Sequence, residues 1–353
     1  MYEQDRYTLL MHLPLITLVA CLAQPAPQDM VDPDLLMGFI DALPVQRAAA
    51  GDEEHREGLR RAEALIESRL RELGLEAERQ AFAWAPRGST PAGQEPVWHN
   101  LTVTLGGDAG AEAAREWVVV GAHFDAVPGS PGADDNASGA AALLELARVL
   151  QGRAYRRTLK LVFFNAEEVG LVGSRRWIVE HAPVDRRDEV RVVAMLSLEM
   201  LGYFSDEPGG QRSPLPAIPG AFEPPTVGDF IALASTASHA GLVERIEASM
   251  RRAAPGLKVF SAARVVPDFP LTPRDILRSD HGAFLMAGLP GVMVTDTADF
   301  RNPHYHQPTD TIDTLDVERF TLLVRGLAGA VHELAGPVEA PATPGEPAKI
   351  DGR

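Results

Sequence analysis

Trp117-Val118-Val119-Val120-Gly121-Ala122-His123-Phe124-Asp125 is followed ten residues later by Asp135, inside Gly132-Ala133-Asp134-Asp135-Asn136-Ala137-Ser138-Gly139. The apolar run reads as a buried strand. It closes on a histidine and an aspartate separated by one residue. Two adjacent aspartates then open a helix of small residues. Open α/β sheets place their ligands at such C-terminal strand edges.

The same arrangement recurs downstream. Leu159 to Phe164 is a second apolar run, ending in Asn165-Ala166-Glu167-Glu168-Val169-Gly170, and Val192 to Leu198 is a third, ending in Glu199. Helical periodicity separates them. Leu143, Leu146, Ala147 and Leu150 share one face between Ala137 and Leu150, and a second helix passes through Trp177 and Ile178. Strands alternating with helices require right-handed crossovers. The expected fold class is therefore α/β, a mixed, largely parallel central sheet with helices on both faces in three layers. The acidic residues that end three strands then share one sheet edge.

Weaker signals fill in the frame. Leu59, Ala62, Ile66, Leu70 and Leu73 recur at helical steps before Gly74, and Asn100 to Leu105 alternates as a half-buried strand. Further strands are expected at Phe230 to Ala234, Leu257 to Phe260 and Gly291 to Thr295. Helices are expected over His239 to Arg252, from Ser279 to Gly288, and from Asp316 to Leu334. The Tyr203–Pro225 and Pro267–Ser279 segments, rich in Pro and Gly or in loop-forming residues, are expected as pocket walls.

Composition narrows the function. The formal net charge is −16, which excludes a nucleic-acid binder because phosphate contacts need clustered Lys and Arg. Cys21 is the only cysteine, so no disulfide framework, Cys-based metal site or thiol nucleophile is available to the globular body. Any metal must be held by His and carboxylates.

Residues 1–23 read as an export signal, with an apolar stretch from Leu9 to Ala23 too short to span a bilayer. Leu18-Val19-Ala20-Cys21 resembles a bacterial lipobox, which implies an exported chain, either secreted or tethered to a membrane through lipidated Cys21. Residues 24–33 read as a Pro-rich linker, 34–335 as a single domain, and 336–353 as a disordered tail.

The chemistry-bearing residues are His123, Asp135, Glu167, Glu168, Glu199 and a late histidine, either His304 or His306. This N/O donor set suits Zn²⁺ or Mn²⁺ in an open catalytic site. The carboxylates outnumber the needs of one ion, so one could bridge two ions while another serves as a base.

The chain from about Asn100 to Leu334 resembles the M28 family of zinc metallopeptidases, which includes secreted bacterial aminopeptidases and glutamate carboxypeptidases. Four ordered blocks carry the resemblance: Gly121-Ala122-His123-Phe124-Asp125, Pro131 to Gly139, Ala166-Glu167-Glu168-Val169-Gly170, and Asn302-Pro303-His304-Tyr305-His306 ahead of Asp310-Thr311. The resemblance implies a zinc-exopeptidase fold and a peptide substrate. It implies two zinc ions bridged by Asp135, with His123 and Glu199 on the first, and Glu168 and His306 on the second. Glu167 would be the general base and Asp125 the carboxylate that orients His123. Glu199 departs from the family's usual aspartate by one methylene. Asp134 is expected to serve local structure, and Asp280 and His281 to lie behind the ligands or in the pocket wall.

The same scaffold also supports carboxypeptidases, glutaminyl cyclases with a single zinc, and receptor-type relatives that bind without catalysis. Receptor-type relatives lose ligands, whereas every expected ligand class is present here. A zinc aminopeptidase is the leading expectation.

Overall fold

The computed structural model describes residues 24–338. The lipobox with Cys21 and most of the tail expected beyond Gly336 lie outside the described residues. Eight strands form one sheet among the described residues, in the order β1-β2-β4-β3-β5-β8-β6-β7. They are β1 (Glu78–Ala83), β2 (Val97–Gly106), β3 (Glu116–His123), β4 (Thr158–Phe164), β5 (Arg191–Glu199), β6 (Ile231–Ala234), β7 (Val259–Ser261) and β8 (Val292–Thr295). The central strands β4, β3, β5 and β8 are mutually parallel. β2 runs antiparallel to β4, and β6 antiparallel to β8. The sheet is mixed and largely parallel at its centre, as the alternation of apolar runs implies.

Among the described residues, seven α-helices cover it: α1 (Pro33–Ala42), α2 (Glu53–Glu72), α3 (Gly139–Leu150), α4 (Val172–His181), α5 (Ala240–Ala253), α6 (Asp280–Met286) and α7 (Val317–Ala335). Strand β3 shows why both faces must be covered. Val118, Val120 and Ala122 join the core beneath α1, α2, α3, α5 and α7, while Val119 joins Phe164, Trp177, Met195 and Phe284 beneath α4 and α6. All of these side chains are buried. Each large apolar side chain withdrawn from water stabilises the fold by about 1.5–3 kcal/mol. Both long helices that the periodicity indicates are capped by aspartate. Asp52 accepts the amide of His55 at the start of α2, and Asp316 accepts that of Arg319 at the start of α7.

Residues 24–33 differ from the expected linker. Pro27–Met30 forms a 3-10 turn packed on α7, and Arg148 donates to the Met30 carbonyl. Residues 337–338 after α7 are likewise tied down, because Pro337 bridges Tyr155 and Val338 donates to the Ala154 carbonyl.

Candidate metal centre

Five chain segments converge at the C-terminal edge of the central strands. His123 is the last residue of β3, Glu199 the last of β5, and Glu167 and Glu168 follow β4. Asp135 lies in the bent segment Ala133–Ser138 before α3, where it and Asn136 leave helical geometry. The Asp135–Asn136 peptide is cis. His306 comes from the loop after β8.

Asp135 stands between two groups. Its Oδ1 lies 3.4 Å from His123 Nε2, and its Oδ2 lies 3.0 Å from His306 Nε2. Glu199 Oε2 is 3.4 Å from His123 Nε2, and Glu168 Oε2 is 3.3 Å from His306 Nε2. His123, Asp135 and Glu199 thus form one triad, and Asp135, Glu168 and His306 a second. Glu167 is buried beside His123 and Glu168. His304 instead faces Thr309 Oγ1 at 2.9 Å and packs edge-on against Tyr203.

Polar side chains aim each group. His123 Nδ1 lies 3.1 Å from the Asp125 backbone carbonyl. A carbonyl only accepts, so Nδ1 carries a hydrogen and Nε2 faces the carboxylates. The Asp125 carboxylate is farther from that ring, at 3.4 Å, and accepts the backbone amides of Glu167 and Glu168 at 3.1 and 3.2 Å. Asp125 therefore couples the His123 strand to the glutamate pair as well as backing the histidine. Ser279 Oγ donates to Glu199 Oε2 at 2.6 Å and pairs with Ser197 Oγ at 2.9 Å, which fixes the longer glutamate.

Asp134 acts as the expected structural residue, and its reach is long. It accepts from the Gly202 amide after β5, from Ser138 Oγ, and from Asn302 Nδ2 at the start of the His306 loop. Asn136 ties the other side, donating to the Leu198 carbonyl and accepting from the Met200 amide. Ala166, Met200 and His306 hold left-handed backbone angles at or beside ligand positions. Such strain persists where the surroundings over-determine it, and it clusters at functional sites.

Two supporting roles were not read from the sequence, although Asp310 stands in one of its quoted blocks. Asp310 accepts the amides of Asp134 and Asp135, and Arg47 is buried beneath the loop between His123 and Asp135. Asp280 is fully buried at the start of α6, behind Glu199.

The electrostatics point to a cation. Burial pushes Glu168 up to about 7, with the neighbouring Asp135 adding to the shift. Burial likewise drives Glu167 well above the usual carboxylate range, with Glu199 and Glu168 reinforcing it against His123. Burial lowers His123, but Glu199 and Glu167 outweigh it and leave the ring well above its ordinary value. Asp135 Oδ1 and Glu168 Oε1 remain without a hydrogen-bond partner. Buried, orphaned oxygens within an N/O set converging from two triads fit a divalent metal site.

A cleft of about 110 Å3 opens beside the first triad and is lined in part by Glu199 and Tyr305. Phe222, Phe230, Phe260, Val266, Ile276 and Met293 make its wall apolar. The Tyr203–Pro225 and Pro267–Ser279 segments both contribute to it, as expected.

The model of peptidase family M28 matches residues 100–214 and 243–330, which include every one of these candidate ligands. The chain belongs to peptidase family M28. Among M28-like sequences it is similar to the uncharacterized protein YfbL of Escherichia coli, with 34% identity over 60% of this chain and 64% of that protein. It is also similar to the probable lipoprotein aminopeptidase LpqL of Mycobacterium tuberculosis, with 30% identity over 64% of this chain and 44% of that one. The match therefore spans less than two thirds of either relative. The M28 fold is shared with BSAP, a zinc aminopeptidase from Bacillus subtilis, at a TM-score of 0.64 over 89% of this chain and 97% of that structure. Sequence identity there is 18%, so this likeness concerns the fold.

Proposed function

We propose that the protein is a co-catalytic di-zinc aminopeptidase. The observation that carries this reading is Asp135, which presents a separate oxygen to each of two triads. His123 and Glu199 would hold one zinc with Asp135, and Glu168 and His306 the other. When bound, such a pair supplies Lewis acidity that polarises a scissile carbonyl and makes water a competent nucleophile at neutral pH.

The protein's own residues do the rest. Glu167 accepts the proton of the attacking water and returns it to the leaving amine. Its burial supports that role, since it raises the carboxylate's basicity toward the range a general base needs. Asp125 holds Glu167 by its backbone amide and keeps the His123 ring in one orientation. The apolar cleft would receive the side chain of the substrate's first residue.

Polarity of attack favours the N-terminus of a peptide. A free carboxylate would need an open cation, and the cleft's arginines are engaged. Arg278 pairs with Asp299 at 2.7 Å and lies over Tyr305, while Arg212 donates to the Asp299 carbonyl. A free ammonium group would meet the carboxylates of the site instead.

The sequence also supports export, with a membrane tether through Cys21. The similarity to a probable lipoprotein aminopeptidase agrees with this, and among the described residues no helix is long and apolar enough to cross a membrane. Loss of labelled palmitate incorporation in Cys21→Ser would test the tether.

The deciding experiment for the activity combines metal analysis with a substrate panel. Two zincs per chain and cleavage of leucyl- or phenylalanyl-p-nitroanilide, with N-blocked peptides left intact, are expected. One zinc per chain with cyclisation of N-terminal glutamine would replace this reading with a glutaminyl cyclase.

A further inference from the structure

Arg47 lies in the turn between α1 and α2, outside the residues that the family model matches. It is 1% exposed. A guanidinium so deeply buried normally meets a carboxylate, yet its hydrogen bonds go to backbone carbonyls. Nε donates to Phe124 O at 2.8 Å, Nη1 to Pro44 O at 3.1 Å and Pro131 O at 2.6 Å, and Nη2 to Gly132 O at 2.6 Å. Arg47's own carbonyl accepts the amide of Ala126 at 2.9 Å.

Apart from Pro44, these partners mark the two ends of one loop. Phe124 follows His123 directly, and Gly132 precedes Asp135 by three residues. The planar fork of an arginine spans them in a fixed geometry that a lysine cannot reproduce. Gly132 shows how close the approach is. Its φ is +64°, and a Cβ there would stand 2.8 Å from Arg47 Nη2 and 2.3 Å from Asp135 O. The Arg47 turn is itself seated from behind, because Gln46 O fills the space a Cβ on Gly58 of α2 would need, and Ala48 donates to His55 O.

We infer that Arg47 is a positioning residue of the metal centre, setting the separation of His123 and Asp135 by clamping both ends of the loop that joins them. This inference rests on the reading of His123 and Asp135 as metal ligands. The guanidinium also places a positive charge within the field of Asp310, Asp135, Asp125 and Glu168, the groups that oppose the lowering of its pKa by burial. Arg47 thereby offsets part of the repulsion among the site's carboxylates before any metal arrives. The site is organised from the N-terminal helical layer, not from the ligand loops alone.

The test measures zinc affinity, by competition with a chromophoric chelator, for the wild-type chain, Arg47→Lys and Arg47→Met. Outlying partners of ligands typically alter metal affinity about 10–100-fold, and a loss in that range is expected for both variants. The cobalt-loaded form should show an altered visible spectrum in each, and added guanidinium should restore zinc affinity to Arg47→Ala. Wild-type affinity and an unchanged cobalt spectrum in Arg47→Met would overturn the inference. A wild-type chain that binds no zinc would sink the metal reading itself, a distinct result. Should the variants not fold, hydrogen exchange on the stripped wild-type chain decides. Protection of the Arg47 Nε–H, which donates to Phe124 O, supports the clamp, and exchange at the rate of a free guanidinium overturns it.

Discussion

Asp310 accepts the backbone amides of Asp134 and Asp135 on separate carboxylate oxygens, at 2.9 and 3.1 Å. The residue common to the two triads is thus held through its main chain by one 175 positions away. Asp310→Asn keeps one accepting oxygen and turns an amide group toward the other N–H. Leaving one buried amide unpaired costs about 1–3 kcal/mol. Stability of the metal-free chain should fall by that amount in a urea titration, and an unchanged midpoint would exclude the role.

Glu167→Gln preserves shape and removes the proton acceptor. Turnover of an aminoacyl-p-nitroanilide should drop by roughly 10²–10⁴, while zinc content stays at the wild-type value. Near-normal turnover would rule out Glu167 as the base.

The two late histidines separate cleanly in space. His306 stands against Asp135 and Glu168, whereas His304 faces Thr309 and Tyr203. His306→Ala should lower the bound zinc count on atomic-absorption analysis, and His304→Ala should leave it intact. The reverse pattern would transfer the ligand role to His304.

His281 gives the fold a pH dependence of known sign. Its Nε2 lies 2.6 Å from the Ile276 carbonyl, and burial lowers its pKa from 6.5 to about 4. Above pH 6.5 neither the folded nor the unfolded chain protonates it, so it contributes no slope. As pH falls from 6.5 toward 4 the unfolded chain takes up the proton first, and stability declines. The loss by pH 5 is roughly 2 kcal/mol. His281→Gln, which retains an N–H for Ile276, should flatten that part of the profile in urea unfolding at pH 7 and pH 5. Parallel profiles for the two proteins would contradict this account.

His123 and Glu199 were legible as candidate ligands because each ends an apolar run, and Glu167 and Glu168 because they follow one. Their supports were not. Arg47 and Asp310 act on carbonyls and amides, which every residue carries, so no spacing or residue type announces the partnership. The same reason hid β1, whose inward Gln80 is satisfied by Asn100 and Glu180 and breaks the apolar alternation that would mark a strand. The Asp125 carboxylate was expected on the His123 ring alone. Its second task, receiving the amides of the glutamate pair, depends on β4 lying beside β3, a pairing that the local pattern does not specify.

The spread of the ligands along the chain has a kinetic consequence. The two triads draw on positions from 123 to 306, and neither triad comes from one contiguous segment. Bringing such distant positions together requires the central parallel strands to be aligned already, and non-local pairing of this kind is slow to form. A metal held by these residues would not nucleate the fold by gathering neighbouring residues, as zinc does in small zinc-dependent modules. It would meet a scaffold already assembled, and its binding energy would slow the molecule's unfolding without speeding its folding.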